Sequence, residues 1–274
     1  MSSDHRLDPE QLNHQAVDLL NRATQAGDTA LLGRCVPLFR SIVALTPPHH
    51  PHRATRLYNL AETHRALYAL TGREDDADQS IGIGRQAVAA LPVGDPNSAL
   101  ILGNLSVTHL LRFQRVGQPD DLGGVIEFGE RAVVATGAEL NMAFYLCTLA
   151  TGYLLRFKGT GLLADLERAI DTDERAIAVI PADSPHLPII LTDLATGYLL
   201  RFQRTGHLAD LERAIDTGER AIAVIPAGFP HRPTILTNLG TAYLLRFQRT
   251  GHLADLERAI DTGERAIAAA PADS

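Results

Sequence analysis

The amino-acid sequence predicts an all-α protein, a solenoid of stacked antiparallel helix pairs, and two observations support this fold class. Six glycines recur every 44 or 45 residues, and the string LLRFQR or LLRFKG precedes four of them. Between the glycines, apolar residues return at the three- and four-residue spacing of a helix, and no long segment alternates with a period of two. The repeated glycines are Gly27, Gly72, Gly117, Gly161, Gly206 and Gly251.

Each repeat predicts two helices. In the last repeat the first helix begins near Pro233, because proline is tolerated in a first turn, and it ends before Gly251. The second helix runs from about Leu253 to Ala269, with an acidic residue in its first turn. Neither helix can bury its apolar stripe alone, so the pairs must stack on each other. The six predicted pairs form a single array over residues 1–274 and lie at about 7–46, 51–91, 96–136, 140–180, 185–225 and 230–270.

Composition excludes several classes of function. The chain has 274 residues, 45% of them hydrophobic, and its 25 basic and 32 acidic residues give a net charge of −7 with no basic block. A nucleic-acid partner is therefore not expected. The sequence has no apolar stretch long enough to span a membrane and no signal peptide, so we expect a cytoplasmic protein without a membrane partner. Cys35 and Cys147 are too few for a disulfide framework or a structural zinc site.

Six positions of the last repeat resemble the tetratricopeptide repeat (TPR), whose usual unit has 34 residues. They are Leu239, Gly240, Tyr243, Ala259, Ala266 and Pro271. The longer unit here adds about one turn to the first helix, which preserves its packing face. The resemblance implies a right-handed superhelix that binds other proteins. The sequence contains no glycine-rich phosphate loop and no metal signature, so we expect no cofactor or metal.

The sequence LLRFQRTGHLADLERAIDTGERAIA is similar to the long repeats of actinobacteria and some fungi that precede a caspase-like protease domain of the CHAT family. This resemblance implies a scaffold or sensor that recruits or regulates a bacterial protein. The 274 residues leave no room for the protease itself, so we expect either a short natural protein or the front part of a longer one.

The resemblance to TPR arrays also implies that the first helices line a concave face that binds an extended peptide or a partner helix. The predicted binding residues are Gln114, Thr151, Lys158, Thr192, Thr196, Gln203, Thr237, Thr241 and Gln248. Gly103, Val107 and Cys147 occupy the same positions in earlier repeats. The alternative is that these side chains form a neutral solvated face without a partner.

A series of arginines near the ends of first helices admits two interpretations. The series is Arg112, Arg156, Arg201 and Arg246. It could bind anions, but a structural role is favoured, in which the arginines compensate the helix dipole and pair with the acidic second helices.

Candidate catalytic and metal-binding residues are few. His49, His50 and His52 lie together in a linker, yet a structural zinc site requires four well-placed ligands. Cys147 could act as a nucleophile only with a base such as His109 and an oxyanion site on irregular backbone. We therefore predict a protein that is not an enzyme, and an enzyme remains a remote alternative.

A second function class is structural self-assembly. Residues 191–227 and 236–272 differ at only 5 of 37 positions, and the last repeat has no evident polar cap. Because terminal repeats normally need such a cap for solubility, the C-terminal end could stack on another copy as a dimer or filament.

Overall fold

The computed structural model describes residues 9–136, 141–225 and 228–270, and this part of the chain contains twelve α-helices and no strand. The chain divides into two compact units, Met1–Gly137 and Ala138–Ser274. The first unit contains α1 (Pro9–Ala26), α2 (Thr29–Ala44), α3 (Arg53–Thr71), α4 (Glu74–Ala89), α5 (Ser98–Val116) and α6 (Pro119–Thr136). The second contains α7 (Met142–Thr160), α8 (Leu163–Val179), α9 (Leu187–Thr205), α10 (Leu208–Val224), α11 (Arg232–Thr250) and α12 (Leu253–Ala269).

The repeated glycines form the turn inside each helix pair. All six follow a first helix and have φ between +63° and +74°, a region that glycine occupies without steric cost. At the end of α11 the N–H of Gly251 donates a hydrogen bond of 2.7 Å to the carbonyl oxygen of Phe247, which satisfies one of the last helical carbonyls. The limits of α11 and α12 agree with those predicted from the sequence.

Within each unit the helices pack in chain order, and the odd-numbered first helices also contact each other. In the first unit α3 contacts both α1 and α5, and in the second unit α9 contacts both α7 and α11. Among the described residues, no two even-numbered second helices of one unit are in contact. The first helices therefore lie on the inner side of each unit's curve. We call this surface the first-helix face of the unit.

The core of each unit is a layer of apolar residues between the first and second helices. Phe39 and Tyr68 are fully buried in the first unit, and Leu166, Leu191 and Leu211 are fully buried in the second. These layers confirm the predicted all-α stack of helix pairs.

Small residues stand where helices cross most closely. A Cβ atom added at Gly240 would lie 3.5 Å from the backbone oxygen of Ala259. Ala214 is 3% exposed at the corresponding crossing of α10. None of the helices within the described residues is long and apolar enough to cross a membrane.

Candidate partner-binding face

The predicted binding residues differ in exposure. The four long polar side chains and one threonine are exposed, namely Gln114, Lys158, Gln203, Gln248 and Thr237. The remaining threonines are partly buried, namely Thr151, Thr192, Thr196 and Thr241. Of the three residues in the same positions of earlier repeats, Gly103 and Cys147 are buried and Val107 is partly buried.

The threonine hydroxyls are already engaged within their own helices. The hydroxyl of Thr196 donates to the carbonyl oxygen of Thr192 at 2.8 Å, and that of Thr241 donates to Thr237 at 2.8 Å. A hydroxyl has a single proton to donate. These threonines therefore offer methyl groups and acceptor lone pairs to a partner, not free donors.

Asparagine and aspartate side chains connect successive first helices across the face. Asn238 of α11 donates to the hydroxyl of Thr196 in α9 at 3.0 Å, and the hydroxyl of Thr151 in α7 lies 2.9 Å from Oδ2 of Asp193 in α9. In the first unit Asn104 donates to the Tyr58 hydroxyl at 2.8 Å. Sequence analysis missed these residues, although their 45-residue spacing was a signal that could have revealed them.

Two small pockets open in equivalent positions of the two units. The pocket between α9 and α11 is lined by Thr192, Ala195, Leu199, Ala214, Gly218, Ile235, Asn238 and Leu239. The pocket between α3 and α5 has the corresponding residues, among them Tyr58, Ala61, Gly84, Asn104 and Leu105. In both, a glycine of the second helix leaves space behind the asparagine of the next first helix.

The equivalent place between α7 and α9 contains a buried carboxyl group. Asp173 of α8 stands where Gly218 stands in α10, and it is 2% exposed. Its Oδ1 atom is buried and has no hydrogen-bond partner among the described residues. Sequence analysis also missed Asp173, because an aspartate in a helix rich in charged residues reads as part of the solvated side.

Electrostatics connect Asp173 with Asp193 and Cys147. Burial raises the pKa of Asp173 well above its usual value, and the charge of Asp193 raises it further. Burial also raises the pKa of Asp193, against the hydrogen bond from Thr151 and the charge of Lys158. The pKa of the Cys147 thiol is raised by burial and by both carboxyl groups. The three side chains therefore share one low-dielectric environment that disfavours negative charge.

The arginine series has the structural role that the sequence analysis favoured. Each arginine binds the aspartate at the start of its second helix. The pairs are Arg112–Asp121 at 2.6 Å, Arg156–Asp165 at 2.6 Å, Arg201–Asp210 at 2.5 Å and Arg246–Asp255 at 2.6 Å. Burial alone would raise the pKa of Asp121, but hydrogen bonds from Arg112 and His109 lower it. The pairs fasten the two helices of each repeat together.

Tyrosines extend these pairs from one repeat to the next. The ring of Tyr198 lies between the guanidinium groups of Arg201 and Arg213, at 5.5 and 5.6 Å, and its hydroxyl donates to Glu174 of the preceding repeat. Burial and this hydrogen bond raise the pKa of Tyr198 to about 12. Tyr243 makes the same contacts one repeat later, so this network belongs to the packing of the stack.

The alternative catalytic residues are part of the packing, whereas His49 and His52 of the candidate metal cluster are exposed. His109 is buried, lies 2.8 Å from Asp121 through Nδ1 and stacks on Phe128. Burial lowers the pKa of His109 and raises that of Cys147, so neither is primed for nucleophilic chemistry. In the described part of the chain, no three His, Cys, Asp or Glu side chains are placed to hold a metal ion.

Comparison with known proteins identifies the fold. No protein-family model matches the sequence, and no curated protein does either. Among solved structures, BtubC (BKLC) from P. vanneervenii matches with a TM-score of 0.58 and 20% identity over 93% of this chain and 96% of that one. A Podosopora anserina kinesin light chain protein with nearly identical TPR-like repeats matches with a TM-score of 0.54 and 19% identity over 80% of this chain and 99% of that one.

A third structure, the assembly chaperone of RpL4 (Acl4), matches with a TM-score of 0.51 and 14% identity over 96% of each chain. At these identities the likeness shows the fold alone. The chain therefore has the fold of TPR-like helical repeat proteins, in agreement with the resemblance of its last repeats.

Proposed function

We propose that this protein is an interaction scaffold that binds a peptide or a partner protein on its first-helix faces. The observation that carries the proposal is the ladder of partly exposed polar side chains that crosses successive first helices, from Thr151 through Thr196 to Thr241. Repeat solenoids generally bind partners on extended inner surfaces of this kind. We also propose that the six pairs act as one array, with Gln114, Lys158, Gln203 and Gln248 at the margins of the binding surface.

The experiment uses a variant that blocks the first-helix face, here called the groove-blocking variant or groove variant, and a matched control. Thr196→Arg combined with Thr241→Arg places two long cations on the first-helix face of the second unit. Ala223→Arg combined with Ala268→Arg adds the same charge to exposed positions on the second helices of the same two repeats. Tagged wild type and both double variants are used for affinity capture from native lysate, and their helicity is measured by circular dichroism.

We expect the groove variant to lose a partner that wild type and the control retain, with helicity unchanged in all three. Equal capture by the two variants would place the binding surface elsewhere. The amino-acid sequence of the repeats further supports a role as the sensor or regulatory part of a CHAT-type protease system. Recovery of a CHAT-domain protein as the lost partner would support that role, and recovery of an unrelated protein would contradict it.

Self-assembly is a second candidate, favoured by the outer surface of α12. Ile260 is 55% exposed, whereas Ile170 and Ile215 in the same position of the earlier repeats are 3% and 4% exposed. Ile170 is covered because it packs against Gly197 of the next first helix. A second copy of the chain could cover Ile260 in the same way.

Sedimentation velocity over a range of concentrations tests this candidate. Self-assembly predicts that the wild type associates as its concentration rises and that Ile260→Asp remains monomeric. A wild type that is monomeric at every concentration would exclude it.

A further inference from the structure

A single substitution distinguishes the second helices of two neighbouring repeats. The 17-residue helices α8 and α10 are identical except that α8 has Asp173 where α10 has Gly218. The second helices α6 and α12 also have glycine there, at Gly129 and Gly263. Asp173 is therefore the exception among these repeats, in a position where the others have no side chain.

The residues around Asp173 also differ from their counterparts in the next repeat, and they too add negative charge. In the pocket between α9 and α11, Gly218 faces Thr192 and Asn238. The residues that correspond to these two around Asp173 are Cys147 and Asp193. A second carboxylate thus replaces an asparagine beside the first, and the charges of both carboxylates act on the Cys147 thiol. Lys158 replaces a glutamine at the margin of the same repeat.

Within the described residues, neither carboxyl group forms the ion pair with an arginine that other buried aspartates of the unit form. Asp165, Asp210 and Asp255 each bind an arginine of their own repeat. Asp173 is 2% exposed, and its Oδ1 has no hydrogen-bond partner among the described residues. A buried acceptor without a partner is costly, more so when it is charged. Asp193 is partly exposed, so a ligand can reach the pair from the first-helix face.

We propose that Asp193 and Asp173 bind the cationic side chain of a lysine or arginine that a partner chain inserts between α7 and α9. This inference rests on the proposed function, since the partner must lie on the first-helix face of the second unit. An ammonium or guanidinium group would donate to Asp193 at the surface, and its positive charge would favour the ionised form of Asp173 behind it. An organic cation fits better than a metal ion, because no three ligating side chains converge in the described part of the chain.

The charged and titratable groups around the site predict how binding depends on pH. Asp193 lies on α9, Cys147 and Lys158 lie on α7, and His231, which precedes α11, acts on Asp193. The pKa of each carboxyl group is raised, chiefly by burial, so acid neutralises the pair before ordinary surface carboxylates. Cation binding should therefore weaken as the pH falls, and it should weaken at a higher pH than the usual pKa of a surface carboxylate would predict.

The test uses n-butylguanidinium and n-butylammonium as side-chain probes, with n-butanol as the uncharged control. Binding to the ¹⁵N-labelled full chain is followed by NMR at pH 7.5. We expect saturable shifts of the amides of Cys147, Thr151, Asp173 and Asp193 with a cation but not with butanol. Asp173→Gly and Asp193→Asn should each weaken binding about tenfold or more, because each removes a charged acceptor.

Both variants install residues that the chain already uses in the same position, Gly218 and Asn238, so the fold should tolerate them. The converse variant, Gly218→Asp with Asn238→Asp, should create a second cation site between α9 and α11. Absence of saturable shifts in the wild type would overturn the inference, and so would unchanged binding by Asp173→Gly. Equal shifts with ZnCl₂ alone would identify a metal site instead and likewise overturn it.

The two proposals fail in distinguishable ways. If the groove-blocking variant loses its partner but the wild type binds neither cationic probe, the scaffold function stands and the cation site is wrong. If the probes bind as expected but the groove variant keeps its partner, the cation site stands and the assigned binding surface is wrong.

Discussion

Replacing Asp173 by alanine should stabilise the protein at neutral and alkaline pH. In the wild type a carboxyl group with an unpartnered oxygen is buried inside the second unit. Leaving such a group unsatisfied costs about 1–3 kcal/mol. Alanine also has a helix propensity better than that of aspartate by roughly 0.5 kcal/mol. Gly218 has no side chain at the equivalent position of α10, so the same helix packing already tolerates the loss of this carboxyl group. We expect a gain of about 1–3 kcal/mol in the free energy of unfolding at pH 8.

The stability difference between wild type and Asp173→Ala should depend on pH. The pKa of Asp173 in the folded protein lies well above its usual 3.8, so the folded state holds this proton more tightly than the unfolded state. The wild type therefore loses stability relative to Asp173→Ala as pH rises from about 3.8 through the folded pKa. The advantage of the alanine variant should be smaller at pH 4 than at pH 8 and greatest above the folded pKa.

Urea denaturation followed by circular dichroism at pH 4 and pH 8 measures this difference. Gly218→Asp is the mirror variant, and it should lose stability at pH 8 because it adds a carboxyl group to the pocket between α9 and α11. An alanine variant no more stable than wild type at pH 8 would refute the reasoning. The same conclusion would follow if the difference between the two proteins did not change with pH.

Two further pairs of substitutions test the packing of the repeats. Arg201→Ala should cost about 1–3 kcal/mol, because it leaves a buried carboxylate unpaired, whereas Arg220→Ala removes a solvent-exposed ion pair and should cost less than about 0.5 kcal/mol. Gly124→Ala should cost about 1–3 kcal/mol, because the new Cβ would lie 2.6 Å from the buried ring of His109. Gly123→Ala, with nothing within 4 Å, should instead stabilise α6 by about 0.5–1 kcal/mol. Urea denaturation measures all four, and equal effects within either pair would contradict the assigned contacts.

The repeat explains why so much of the fold could be predicted from the sequence. A positive φ at the turn admits glycine far more readily than any other residue, so the position of Gly251 predicts where α11 ends. The spacing of apolar residues and the pairing of Arg246 with the acidic start of α12 follow from helix geometry and charge. These are local rules, and each copy of the repeat applies them again.

The candidate site depends on contacts that a periodic pattern does not contain. Asp173 lies three residues after Ile170 and seven after Leu166, so its spacing places it on the apolar side of α8, although its residue type is typical of the solvated side. It is buried because α9 crosses α8 closely at this point, with Leu194 in the place where Leu239 packs over Gly218. The sequence could have revealed Asp173 through this spacing and through comparison of α8 with α10, in which it is the one difference.

The residues that the repeats share and those in which they differ have separate roles. The arginine–aspartate pairs and the tyrosine network recur in each repeat of the second unit, and they hold the stack together. A partner that contacts only residues common to all repeats would bind equally well in several registers, each shifted by one repeat. A single register requires a contact that occurs once. Asp173 and Asp193 supply such a contact, because a cationic side chain finds two carboxylates between α7 and α9 and only Gly218 and Asn238 one repeat later.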